Sequence, residues 1–131
     1  ARGAARQRAA AIQLRGVGHE LKKDYPAAIV AYREALALHR SLSVESADVA
    51  RILNDLAGVE AGSGDYAAAE QDYREALRVA RAVSNAEGEA IFTGNLAALA
   101  LDRKDWPGAE TLERSFSAST FFRFRSSTNW L

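Results

Sequence analysis

A period of about 40 residues constrains the fold of this 131-residue chain more than any other feature. The segment Asp24-Tyr25-Pro26-Ala27-Ala28 returns as Asp65-Tyr66-Ala67-Ala68-Ala69 and again as Asp105-Trp106-Pro107-Gly108-Ala109, at steps of 41 and 40 residues. Tyr32-Arg33-Glu34-Ala35-Leu36 follows the first copy at the spacing with which Tyr73-Arg74-Glu75-Ala76-Leu77 follows the second. Self-similarity at such a period indicates repeated units that pack on their neighbours.

Each unit is predicted to form two antiparallel helices, because its apolar residues recur every three or four positions. Asp24 and Asp65 stand where a helix begins, and an aspartate there accepts a hydrogen bond from a free first-turn amide. Gly64 is placed to end the preceding helix in left-handed backbone, and Lys23 occupies the equivalent position. The predicted helices span about 5–23, 26–42, 45–63, 66–84, 87–104 and 107–114 onward. The fold class is therefore all-α, a solenoid of three antiparallel helical hairpins.

Small residues recur at three positions of the repeat, where the two helices of a hairpin are predicted to approach closely. Tyr32 and Tyr73 fill the space beside them. These positions use part of the 28 alanines of the chain. The three sets are Gly16, Ala57 and Ala97; Ala28, Ala69 and Ala109; and Ala35 and Ala76.

The spacing of a small residue and a tyrosine in Ala28-x3-Tyr32 and Ala69-x3-Tyr73, with Leu56-Ala57 upstream, resembles the tetratricopeptide repeat. The long period is similar to that of kinesin light chains and of G-protein-signalling modulators. The segments 85–90 and 95–97 particularly resemble the second group. The resemblance implies a right-handed superhelix over residues 1–114, with repeats at about 9–43, 50–84 and 90–114.

The chain departs from this pattern at both ends. Arg15 stands where the pattern has leucine, so the first helix is expected either to be rotated or to act partly as a cap. In the third unit, Glu113 replaces the tyrosine and Phe116 the alanine. Residues 115–131 change composition, and Phe122-Arg123-Phe124-Arg125 alternates as a strand does. This tail is a divergent native end, a cloning junction or a frameshift, with disorder as a further alternative.

Residues suited to catalysis or metal binding are few. The chain has no cysteine and two histidines, neither with metal-ligand spacing around it. His19 is predicted to be a packing residue and His39 a surface residue. Gly16-Val17-Gly18 lies inside a helical pattern, and Asp72 and Glu75 are predicted to lie on an exposed stripe. We therefore expect no enzyme activity, no metal and no cofactor.

The resemblance also implies a binding surface, because the first helices of such repeats line the concave side. Asn54 and Asn95 can each donate to and accept from a peptide backbone, and Arg51 could pair with a ligand carboxylate. Glycines and alanines leave room for a ligand chain. The alternative is that these polar residues only solvate the surface. The predicted peptide-binding residues are Gln13, Val17, Glu20, Arg51, Asn54, Asp55, Gly58, Ile91, Asn95 and Ala98, with Ala61 and Gly94 beside them.

Charge sharpens the predicted ligand class. The 17 basic and 17 acidic residues balance overall, but residues 1–15 carry a net charge of +4 and residues 16–109 a net charge of −5. Glu20 and Asp55 oppose an acidic ligand, so a clamp for acidic C-terminal tails is disfavoured and a neutral or basic peptide is weakly favoured. The arginines of 1–15 fit a solvated helix end better than a nucleic-acid site or a targeting sequence.

The sequence therefore predicts a non-enzymatic adaptor or scaffold, cytoplasmic and of bacterial type, that binds an extended peptide of a protein partner. The alternative is a structural or self-associating segment of a larger signalling or regulatory protein, forming a homo-oligomer through its C-terminal repeat and Phe116. No nucleic acid and no membrane is expected as a partner. Because the chain contains no methionine, it is expected to be part of a longer protein.

Overall fold

The computed structural model describes residues 2–103, and this part of the chain consists of helices without strands. Helices α1 and α2 form one antiparallel hairpin, α3 and α4 form a second, and α5 packs on α4 and α3. The all-α prediction is confirmed. The predicted sixth helix, the tail 115–131 and Phe116 lie outside the described residues. The helices are α1 (Arg2–Leu21), α2 (Tyr25–Leu42), α3 (Ala47–Gly62), α4 (Tyr66–Ala82) and α5 (Ala86–Asp102).

The helices are joined by turns in which one residue ends a helix and the next begins another. Gly64 has a φ of +93°, and Lys23 adopts the same left-handed backbone at +58°. The amide of Asp65 then donates to the carbonyl of Glu60 at 2.9 Å, while its side chain accepts from the amide of Ala68 at 3.1 Å. Asp24 makes the same two kinds of bond. Each turn therefore satisfies the free backbone groups of two helices at once.

The small residues lie where the helices of each hairpin meet, as the repeat predicts. Those in the described part of the chain are all buried. The packing is tightest at Gly16, where an added Cβ would lie 2.8 Å from Cε1 of the buried Tyr32. No side chain fits at that distance without moving the ring. Close contact along each hairpin thus depends on these positions.

The first helix carries a narrow buried stripe, formed by Ala9, Ile12 and Gly16. Arg15 stands outside this stripe, exposed to solvent, and its Nη2 atom forms an ion pair with Oε2 of Glu34 at 2.7 Å. The arginine therefore links α1 to α2 across their surface rather than occupying the position of a core leucine. Among residues 2–103, no helix is both long and apolar enough to span a membrane.

The prediction that His39 is a surface residue is wrong. Only 4% of its surface is exposed. The start of α1 and the start of α3 both pack over this end of α2, and neither neighbour could be inferred from the position of His39 within its own helix. His19 is half-buried, with Nδ1 3.9 Å from Oδ2 of Asp24.

Replacing Ala69 by leucine should destabilise the protein by about 1–3 kcal/mol, because the larger side chain has no space between the two helices of its hairpin. The matched control is Ala67→Leu, at an exposed position of the same helix. Thermal or denaturant unfolding of both variants measures the difference. Equal stability of the two variants would show that the Ala69 position is not closely packed.

Replacing Lys23 by glycine should stabilise the protein by about 0.5–1 kcal/mol, because glycine adopts left-handed backbone without the steric cost of a side chain. Lys22→Gly, one residue earlier, should give no such gain. Urea denaturation compares the two variants. A loss of stability in Lys23→Gly would mean that the lysine side chain contributes more than its backbone strain costs.

Candidate functional site

An array of amide side chains crosses the three first helices, α1, α3 and α5. Gln13, Asn54 and Asn95 occupy the same repeat position, at steps of 41 residues. Nε2 of Gln13 donates to Oδ2 of Asp55 at 3.1 Å, and Nδ2 of Asn95 donates to Oδ1 of Asn54 at 2.6 Å. We call Gln13, Asn54, Asp55 and Asn95 the amide ladder. The ladder ties each first helix to the next.

The side chains of the amide ladder keep unused hydrogen-bonding capacity. All four are half-buried, so each also meets solvent. The bond between Asn54 and Asn95 uses one donor and one acceptor, whereas an asparagine offers two donor hydrogens and an acceptor oxygen. The ladder can therefore serve the helices and a ligand at the same time.

Two carboxyl groups give this surface a negative character. Burial raises the pKa of Asp55, and the nearby Glu20 charge raises it further, against the stabilising bond from Gln13. The hydroxyl of Tyr32 donates to Oε2 of Glu20 at 2.7 Å. Burial raises the pKa of Tyr73 to about 12, with Asp55 the nearest charge acting in the same direction. An anionic ligand group here would meet like charge.

The predicted binding residues share the outward faces of α1, α3 and α5, and none of them is buried. Ile91 presents an apolar side chain that is 41% exposed. Gly58 is open, since an added Cβ would meet only the Tyr73 hydroxyl at 3.6 Å. Glu20 and Arg51 are exposed, and the half-buried members are Gln13, Val17, Asn54, Asp55, Ala61, Asn95 and Ala98.

Two predicted features of this surface differ in the structure. Gly94 is buried in α5 and does not leave open room for a ligand. Nη2 of Arg51 lies 2.9 Å from Oδ1 of Asp48 on its own helix, so the arginine already has a carboxylate partner. Residues 2–103 contain no group of three or more histidine, aspartate or glutamate side chains that could hold a metal ion.

A buried acid in the outer cleft between α2 and α4 was missed by the sequence reasoning. Glu60 is 2% exposed, its Oε1 lies 3.5 Å from Nη2 of Arg33, and its Oε2 is buried without a hydrogen-bond partner in the described part. Burial, together with Asp72, raises its pKa to about 7. A signal was present in the sequence, because Glu60 continues the helical spacing of Leu53 and Leu56.

The prediction that Asp72 lies on an exposed stripe is wrong. Asp72 is half-buried, and burial raises its pKa. The position faces Glu60 across the contact between α3 and α4, so the two carboxyl groups share one poorly solvated space. At neutral pH and below, a proton on Glu60 can be donated to Asp72, which removes the repulsion between two adjacent charges.

Comparisons with known proteins bear on the whole array. A family model described as tetratricopeptide repeat matches residues 7–82 and 48–115. A search of curated proteins gave no match. The crystal structure of BtubC (BKLC) from P. vanneervenii is similar, with a TM-score of 0.75 and 21% sequence identity. The match covers 91% of this chain and 46% of that protein, so the likeness shows the fold over less than half of its length.

Replacing Glu60 by glutamine should flatten the pH dependence of stability. The unfolded chain ionises Glu60 near 4.5, whereas the folded protein keeps its proton to about pH 7. The folded state therefore binds more protons in this window, and its stability falls as the pH rises. The wild type should lose on the order of 2 kcal/mol between pH 4.5 and 7 that Glu60→Gln does not lose.

Denaturant unfolding at several pH values measures this difference. The control is Glu87→Gln, an exposed acid of α5, which should follow the wild-type curve. Parallel curves for all three proteins would mean that Glu60 ionises normally in the folded state.

Proposed function

The chain belongs to the tetratricopeptide repeat family, whose repeats generally mediate protein–protein interaction, and we propose that it binds an extended peptide segment of a partner along the concave surface of α1, α3 and α5. The partner is a protein, and the proposal assigns the chain no catalytic step. The ligand segment runs across the first helices, in contact with the amide ladder and with the exposed Ile91.

The amide ladder is the observation that carries this proposal. An extended peptide presents amide hydrogens and carbonyl oxygens along its length, and each amide side chain can both donate and accept. Gln13, Asn54 and Asn95 recur at one repeat position, so they offer such groups at regular intervals. The bonds within the ladder hold these side chains in place before a ligand arrives, which lowers the entropy cost of binding.

Charge favours a neutral or basic ligand segment. Glu20 and Asp55 lie on the surface, and Arg51 is already paired with Asp48. A lysine or arginine of the ligand would find partners here, while an acidic tail would meet repulsion. Because charge acts mostly on the rate of encounter and on the choice of partner, we expect the preference to weaken as salt is raised.

Selection from a displayed library of random peptides, followed by calorimetric titration of the selected peptides, tests the proposal. Asn54→Ala combined with Asn95→Ala should weaken binding about tenfold or more, since the peptide loses hydrogen bonds on two helices. The control is Gln71→Ala, which removes an exposed amide from the outer helix α4 and should leave the affinity unchanged.

Thermal unfolding of the double variant accompanies the titration, because its loss removes the Asn54–Asn95 bond as well. A folded double variant that binds every selected peptide with wild-type affinity would contradict the proposal. So would a library in which acidic peptides are enriched over basic ones, as far as the ligand class is concerned.

A further inference from the structure

A second concave feature lies away from the peptide surface, where the start of α1, the end of α2 and the start of α3 meet. It is a cavity of about 270 Å³. Arg2 and Arg6 reach it from α1, His39 from α2, and Ser46 and Asp48 from the beginning of α3. None of these residues belongs to the amide ladder or to the predicted peptide-binding set, so the peptide surface does not explain the cavity.

His39 is the least expected part of this wall. The residue is 4% exposed, and its Nε2 atom is buried without a hydrogen-bond partner among residues 2–103. A buried polar atom left in that state costs about 1–3 kcal/mol. A ligand in the cavity that accepts a hydrogen bond from Nε2 would remove this cost, whereas a cation would not.

The other groups around the cavity also favour an anion. Nη2 of Arg2 donates to the carbonyl of Leu42 at 3.2 Å, which holds the guanidinium at the cavity, and Arg6 forms no ion pair within the described residues. Ser46 caps α3 through the amide of Val49, and the first-turn amides of this 16-residue helix point toward the same end.

One carboxylate of the wall, that of Asp48, opposes an anion. Its Oδ1 lies 2.9 Å from Nη2 of Arg51, so its charge is already paired. The charged groups that act on His39 are therefore Arg6 from α1 and Asp48 and Arg51 from α3, and burial is the main cause that lowers its pKa. The net balance of the surrounding side chains is positive.

We propose that this cavity binds a tetrahedral oxyanion, a phosphate or sulfate group, through Arg2, Arg6 and protonated His39. The guanidinium groups form charge-assisted hydrogen bonds to the oxygens, and the imidazolium donates from Nε2. The phosphate group is either that of the free ion or that of a phosphorylated serine side chain, since both present the same oxygens.

Titration of the two histidines by NMR tests the proposal, because His19 lies at the other end of the hairpin and serves as an internal control. Inorganic phosphate should raise the pKa of His39 and leave that of His19 unchanged, relative to chloride at equal ionic strength. Sulfate, which does not titrate in this range, should act in the same way. The linkage is reciprocal, so binding should weaken as the pH rises through the pKa of His39.

Two arginine variants show whether the cavity itself binds the ion. Arg6→Ala should weaken phosphate binding about tenfold, whereas Arg8→Ala, which removes an exposed arginine of α1 outside the wall, should not. A parallel titration with O-phosphoserine distinguishes the sources. Tighter binding of O-phosphoserine than of phosphate indicates a modified side chain, and binding of the inorganic ions alone indicates the free ion.

An unchanged pKa of His39 in phosphate and in sulfate would overturn the proposal. An equal loss of affinity in Arg6→Ala and Arg8→Ala would also overturn it, because the effect would then reflect the general positive charge of residues 1–15. Both arginines are exposed, so the variants are expected to fold, and circular dichroism verifies this.

Discussion

The double-ended turn is the constraint on which the rest of the structure depends. At Lys23-Asp24 and Gly64-Asp65, a left-handed residue closes one helix and the aspartate after it opens the next. No loop separates the two helices, so they stay in contact along their length. The buried glycine and alanines of each hairpin follow from that closeness, as does the fixed register that places Gln13, Asn54 and Asn95 side by side.

The features that the sequence predicts well are those that one repeat contains within itself. The turns need an aspartate after a left-handed position, and the hairpin contacts need small residues at a fixed distance from Tyr32 and Tyr73. Both conditions are local and recur at a period of about 40 residues, so the repetition of the pattern distinguishes them from chance. Helix positions, the packing of Gly16 and the faces of the first helices could all be predicted for this reason.

The features that the sequence does not predict arise between units. His39 is buried by α1 and α3 together, and Asp72 lies beside an acid of the preceding helix. The identity of a hydrogen-bond partner is also hidden in the sequence, since the same asparagine pattern fits a free surface and a linked pair. Asn54 and Asn95 share a face by periodicity, but that they bond to each other depends on the distance between α3 and α5.

The lack of slack in the turns has a consequence for how such a chain can change in length. An α-helix advances by about 100° per residue, so inserting or deleting one residue at Gly64 would rotate all of α4 relative to α3. The rotation would remove Ala69 from the interface and turn the outer cleft toward solvent. Single-residue insertions are therefore excluded at these turns, and the array can lengthen or shorten only by whole repeats, which leave every register intact.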